Sequence, residues 1–364
     1  MHKKLKQYDH FKVRPPYYSG YRLLSTPDIT GGKPEVFIST SNRSAGKSTF
    51  FAGKLIHDFI RTGKKFMLLY RNKYEMNAAV DSFFAQVNQL FFPGLYMWQE
   101  IGIRDAFYRV YICDDQQKNK CQCGYITALA ASEQVKKYSS LLSDVSVVLF
   151  DEAFPENDRY LPNEVRLFMS IHVSLARGNG YQARYLPVII VGNLINLFNP
   201  YYQTFGIVDT LQLQTNFYRG DGFVVEQGFN EASALAHKQS AFQRAFANED
   251  YIAASQEKSY LNTTDLFIDR AVCDSGLYIC TIQYAKQRFS VRYNPDANFY
   301  YVSDRPDPSF KIILAATLED VDETAFYDRR NSRKELLSKK LQTGQVKCRN
   351  LSCRNALLHF IVGR

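Results

Sequence analysis

The stretch STSNRSAGKST, residues 39–49, decides how this chain is read. Residues 41–48 match the spacing G-x-x-x-x-G-K-[ST], except that Ser41 stands where the pattern opens with glycine. VFIST, residues 36–40, precedes it as a buried strand. A helix opens after Gly46, with Phe51, Leu55 and Phe59 on one face and a stop at Gly63. Strand, loop and helix N-terminus together form an anion cradle, because the N–H groups of the loop and first helical turn point at the ligand. The residues enclosing that ligand would be Ser41, Asn42, Arg43, Ser44, Ala45, Gly46, Lys47, Ser48 and Thr49. Lys47 would place a point charge on the β and γ oxygens of ATP, and Ser48 would offer a hydroxyl to Mg2+. Serine at 41 alters the turn and removes no phosphate ligand.

A second signal follows about 100 residues on. VSVVLFDE, residues 145–152, is an apolar run that ends in two acids. Asp151 at the strand tip suits Mg2+ held through its water shell. Glu152 is placed to polarise a water for attack on the γ-phosphate. The two signals predict ATP binding and hydrolysis. Asn193 ends VIIVGN and reads either as a sensor of the γ-phosphate or as a turn asparagine. Arg43 reads as a phosphate contact or a surface charge, Arg71 and Lys73 as site cations or a solvated pair. Arg177 ends a helix, where a cation is favoured in any case.

The surrounding pattern predicts a parallel α/β sheet with crossover helices. FMLLY (66–70), VSVVLF (145–150) and PVIIVG (187–192) are continuous apolar runs, as strands buried on both faces require. Residues 75–91 read as one helix, and 162–176 as another with proline in its first turn. FYRVYIC and GYITALA read as a hairpin around a polar tip, residues 114–123. Such sheets bind ligands beyond the carboxyl ends of their strands. After residue 225 the chain turns polar. From residue 265 short alternating strands appear (LFIDRAV, LYICTIQY, RFSVRY, FYYVS, KIILAAT), then a basic helical stretch. The expected domains are an ATPase domain at 1–227, a linker or helical subdomain at 228–262, and an α+β domain at 263–364.

Composition bounds the partners. The 364 residues carry a net charge of +9, which favours polyanions. Between Asp328 and Arg364 there are ten Lys or Arg and two acids. No stretch approaches the ~20 apolar residues of a membrane span. The basic N-terminus lacks the apolar run of a secretory signal, so the seven cysteines are expected as reduced thiols. Cys113, Cys121 and Cys123, or Cys348, Cys353 and His359, complete no four-ligand zinc set.

VLFDEAFPENDRYLPNEV (148–165) and VGNLINLFNPYY (191–202) resemble the DNA-packaging (encapsidation) ATPases of phi-29-like tailed phages. These are ring-forming P-loop ATPases of the ASCE, FtsK–HerA-like type. The likeness is strongest over residues 37–202 and collinear beyond. It implies a homopentameric ring on the portal vertex of an empty prohead, driving double-stranded DNA inward with ATP and Mg2+, in the host cytoplasm and absent from the mature virion. Some relatives also use a structural RNA. By position, Lys47 and Ser48 are the Walker A pair, Asp151 and Glu152 the Walker B acid and catalytic glutamate, and Arg177 the arginine finger acting on the next subunit. The family's second arginine falls where this chain has Asn179, and its loop opens with glycine rather than Ser41. The C-terminal domain is implied to be a vestigial RNase H-like nuclease that binds nucleic acid without cutting. Asp269 is the one acid well placed within an expected strand there, with Asp320 or Asp322 as further candidates.

A packaging motor must grip any sequence, so phosphate contacts from Lys or Arg are expected. The candidates are Lys118, Lys120, Lys136 and Lys137, each also readable as a solvated charge. Competing readings are a terminase with a live metal-dependent nuclease, a non-hydrolysing nucleic-acid-binding scaffold, and a helicase.

Overall fold

The computed structural model describes residues 2–114, 120–156, 159–177, 182–193, 195, 197, 199–208, 210–211, 215–245, 267–269 and 275–362. Two compact units emerge: Met1–Phe205 with Gln212–Asn262, and Gly206–Leu211 with Thr263–Arg364. No helix among the described residues is long and apolar enough to cross a membrane.

The first unit is built on nine strands: β1 (Val36–Ser41), β2 (Lys65–Tyr70), β3 (Tyr96–Ile103), β4 (Phe107–Cys113), β5 (Cys121–Ala128), β6 (Val145–Phe150), β7 (Val188–Asn193), β8 (Phe217–Gly220) and β9 (Phe223–Gln227). They form one sheet in the order β3-β4-β5-β2-β6-β7-β1-β9-β8. The six from β5 to β9 in that order are parallel, flanked by antiparallel β3–β4–β5 and β8–β9 pairs. Strand β7 lies between the loop-bearing β1 and the acid-bearing β6, so three carboxyl ends stand side by side.

Its helices are α1 (Tyr21–Ser25), α2 (Lys47–Thr62), α3 (Ala85–Phe91), α4 (Ser132–Lys137), α5 (Glu164–Leu175), α6 (Pro200–Thr204), α7 (Glu231–Gln239) and α8 (Ala241–Ala245). Helix α2 starts after Gly46 at φ 94° and stops at Gly63, φ 73°, whose N–H caps the Phe59 carbonyl. Both positions sit in the left-handed region that glycine enters without penalty. The buried face of α2, with Phe50, Phe51, Leu55, Ile56 and Phe59, packs in a phenylalanine-rich core that includes Phe66, Phe84 and Phe92. Each such ring contributes about 1.5–3 kcal/mol by leaving water.

Two sequence expectations need correction. Residues 75–91 do not form one helix. They make a 3-10 turn (Lys73–Met76), a π-type turn (Val80–Phe84) and the short α3. The Glu75 carboxylate turns back to accept the N–H groups of Arg71 and Asn72. The Gln99 amide, from β3, accepts the Val80 N–H at Oε1 and donates from Nε2 to the carbonyls of Met76 and Asn77. A continuous helix would have used the Val80 N–H and the Met76 and Asn77 carbonyls itself. Helix α5 likewise begins at Glu164, after Asn163 at φ 54°, so Pro162 lies outside it.

The second unit carries a five-stranded sheet of β10 (Leu277–Tyr284), β11 (Gln287–Asn294), β12 (Phe299–Ser303), β13 (Ile313–Ala315) and β14 (Val346–Cys348), in the order β13-β10-β11-β12-β14. β10–β11–β12 is an antiparallel meander, with β13 parallel to β10 at one edge and β14 parallel to β12 at the other. Helices α9 (Ser332–Gln342) and α10 (Leu351–Val362) cover one face, burying Cys280, Ile282, Val291, Val302, Leu337, Leu357 and Phe360. The strand expected at 266–272 lies mostly outside the described residues. Within it, Ile268 makes an isolated bridge to Cys348.

Candidate active site

The loop between β1 and α2 closes with two residues at positive φ, Ser44 (59°) and Gly46 (94°). A Cβ at Gly46 would meet no protein atom closer than 3.9 Å, so the backbone angle, rather than crowding within the protein, demands glycine there. Asn42 is tied into the scaffold. Its amide donates to the Asn230 carbonyl at 3.1 Å and accepts the Asn230 N–H at 2.8 Å.

Lys47 opens α2 and is 5% exposed. Its ammonium donates to Ser41 Oγ at 2.7 Å, to the Asn42 carbonyl at 3.2 Å and to Asn193 Oδ1 at 3.3 Å. Ser41, the departure from the glycine pattern, therefore supplies the shortest contact to the lysine. Asn193 pairs with Ser41 in the register of β1 and β7. Burial pulls the Lys47 ammonium down to about 8, against the attraction of Asp151 and Glu226.

The acidic doublet meets the loop. Asp151, at the tip of β6, accepts the Ser48 hydroxyl at 2.8 Å. Burial pushes its carboxyl up to about 6, opposed by that hydrogen bond. A hydroxyl and a desolvated carboxylate side by side are hard oxygen donors, the set that suits Mg2+. Glu152 follows at φ 52° with an exposed side chain. One cleft of about 1180 Å³ is lined by the loop from Arg43 to Thr49 and by Arg71, Asp151, Glu152 and Asn193.

Arg71, at the end of β2, is not a solvated charge. It is buried against Glu164 of α5, with Nε to Oε2 at 2.8 Å and Nη2 to Oε1 at 3.1 Å. The same guanidinium donates to the carbonyls of Ala153 (2.8 Å) and Glu152 (3.3 Å). Glu164 also accepts the Tyr201 hydroxyl at 3.0 Å and the Leu161 N–H at 2.9 Å. The network joins the acid loop, α5 and α6. The sequence reading gave neither Glu164 nor Tyr201 a role, although both lie in the YLPNEV and NPYY segments that carry the resemblance.

The other candidates lie apart. Arg43 is exposed and ion-paired with Glu156. Arg177 is absent from the lining of this cleft. It lines a separate groove of about 490 Å³ with Lys136, Arg166, Met169 and Val173. Lys136 pairs with Glu133 at 3.2 Å, and Lys137 is exposed on α4. Lys120 stands 5.2 Å from the centre of the Trp98 ring, which stacks on Tyr111. Lys118 and Asn179 lie outside the described residues.

The DNA packaging protein of Bacillus phage B103 is 25% identical over 285 residues, 77% of this chain and 81% of that protein. The DNA packaging protein of Bacillus phage phi29 is 25% identical over 283 residues, 77% and 78% of the two chains. The fold matches a chain of the bacteriophage phi-29 viral genome packaging motor assembly with a TM-score of 0.67, at 21% identity over 95% of this chain and 98% of that one. A chain of the phi-28 gp11 DNA packaging motor matches with a TM-score of 0.60, at 16% identity over 96% and 98%. The family model for the podovirus DNA encapsidation protein (Gp16) matches residues 16–362, nearly the full length, and the chain belongs to that family.

Proposed function

We infer that this protein is an ATP-driven motor that packages double-stranded DNA into a preformed prohead. One observation carries the reading: Lys47, Ser48, Asp151, Glu152 and Asn193 meet in a single cleft at the carboxyl ends of β1, β6 and β7. Incoming ATP lays its phosphates along the loop N–H groups, and Lys47 exchanges its resting acceptors for phosphate oxygen. Ser48 and Asp151 are the residues that would hold Mg2+, whose chemistry is to neutralise charge on the β and γ oxygens. Glu152 accepts a proton from a water as its oxygen bonds the γ-phosphorus. The bond to the β–γ bridging oxygen breaks and ADP leaves. Asn193, beside Lys47, senses the γ-phosphate.

The position of Arg177 outside its own cleft supports a role in the site of the next subunit, and so a ring, which we take to be a pentamer on the portal of the prohead in the host cytoplasm. Lys120, Lys136 and Lys137, with Lys118, are the proposed phosphate contacts for DNA. DNA uptake with and without added RNA separates a motor that uses a structural RNA from one that does not.

The C-terminal unit is proposed to be RNase H-like, binding nucleic acid without cutting. Two-metal cleavage needs acids converging on one point. Asp269 is paired with Lys347 (2.7 Å) beside β14, while Asp322 accepts the Gln283 amide (2.5 Å) of β10, next to the opposite edge strand.

The test is Mg2+-dependent phosphate release by the full chain with proheads and DNA. Wild type is expected to release phosphate and take up DNA, and Lys47→Ala to do neither. Equal release by both proteins would overturn the assignment.

A further inference from the structure

Strand β3 ends the nine-stranded sheet, and its side chains alternate between two environments. Met97 packs into the core of the first unit, with Val110 and Ile112 of β4. The alternate residues take the opposite face: Tyr96, Trp98 and Glu100 of β3, Arg109 and Tyr111 of β4. The nucleotide cleft uses none of them.

This outer face is aromatic and carries a cation. The strand register sets Trp98 opposite Tyr111 and Glu100 opposite Arg109. The Trp98 and Tyr111 rings lie nearly parallel, 11° apart, with centroids separated by 5.3 Å. Lys120 is exposed just before β5 and holds its ammonium 5.2 Å from the centre of the Trp98 ring. The indole N–H of Trp98 donates to Glu100 Oε1 at 3.0 Å, so that acid is turned to the edge of the ring. Tyr96, two positions before Trp98 on the same face, is 52% exposed.

A pair of rings across two strands is also an ordinary source of sheet stability. Position and charge set this pair apart: it stands half-open on the last two strands, with a cation over its larger ring. The ligand that matches has flat, uncharged base faces joined by phosphates. In a strand with unpaired bases, the bases stack on the rings and a phosphate meets the ammonium. Duplex DNA does not fit, because its bases cover one another and leave only phosphates to be met.

We propose that the outer face of β3 and β4 is a stacking site for single-stranded DNA, with bases on Trp98, Tyr111 and Tyr96 and Lys120 on the phosphate beside them. This rests on the reading above that DNA is the polymer this protein handles. It adds a hold on locally unpaired DNA, such as a frayed end, which phosphate contacts alone do not discriminate from duplex.

Trp98 is the only tryptophan of the chain, so indole emission reports from this face alone. The experiment is fluorescence titration of the full chain with a single DNA strand, with the RNA strand of the same sequence, and with a relaxed circular duplex that has no end to fray. The DNA strand is expected to quench the emission and the duplex to leave it unchanged. Anisotropy of a labelled DNA strand then compares variants. Tyr111→Ala should weaken strand binding about tenfold, with duplex binding and phosphate release kept as the measure of an intact fold, and Trp98→Phe should retain strand affinity. No quenching by the strand, equal quenching by the duplex, or undiminished strand binding by Tyr111→Ala would overturn the site. Tighter binding of the RNA strand would overturn DNA as its occupant. Loss of duplex binding together with strand binding in Tyr111→Ala would show the rings to be structural only. Failure of the wild type to bind DNA in any form would remove the DNA reading itself.

Discussion

Lys47 and Asp151 are displaced toward each other on the pH axis, and the cause in both cases is burial. Asp151 has a folded value raised from the ordinary 3.8 to about 6, so its contribution to stability is present below 3.8 and lost as pH rises through 6. Lys47 is lowered from 10.5 to about 8, so its contribution is present above 10.5 and lost as pH falls through 8. Between about 6 and 8 the protein carries both charges at a cost, which Mg–ATP would relieve in the proposed site. Affinity for Mg–ATP is therefore expected to peak in that window. Calorimetry in buffers of different ionisation enthalpy should find proton release on binding near pH 6, as Asp151 gives up its proton to a cation. It should find proton uptake near pH 8, as Lys47 takes one on beside phosphate. A flat profile without proton exchange would show that neither group meets the ligand.

The parallel strands were legible because burial on both faces writes itself into the chain as unbroken apolar runs. β1, β2, β6 and β7 all stand where those runs are, and the polar residues ending them line the cleft. Strand β3 was not legible. YMWQEIGI, at a sheet edge, mixes polar and apolar residues and contains a glycine. Nor was the break in residues 75–91, which depends on Gln99, a residue distant in sequence. Arg71 was ambiguous for the same reason. Its partner Glu164 is 93 positions away, and only the fold brings them together. This buried pair gives an element-level prediction. Arg71→Ala leaves the Glu164 carboxylate buried without its cation, so it should destabilise the first unit by about 3–5 kcal/mol. Urea unfolding of the full chain, followed by a probe in that unit, measures it. A loss below about 1 kcal/mol would mean that the pair does not clamp the acid loop to α5.

The proposed ring rests on where Arg177 stands. It has no place in the lining of its own cleft, and it shares its groove with Lys136, Arg166 and the half-exposed apolar side chains Met169 and Val173. In a head-to-tail ring each subunit presents one surface to the neighbour's opposite one, so a site can be completed across the junction. Family membership agrees with a DNA-packaging role. The basic residues named as DNA contacts then serve a ring that threads a polyanion, with affinity falling as salt rises. The decisive measurement is DNA-stimulated phosphate release by Glu152→Gln, by Arg177→Ala and by their equal mixture on proheads. Each variant alone should be silent. In the mixture, about a quarter of the junctions pair an intact glutamate with an intact arginine, and turnover should return. No recovery on mixing, or undiminished turnover by Arg177→Ala alone, would contradict hydrolysis shared between neighbours.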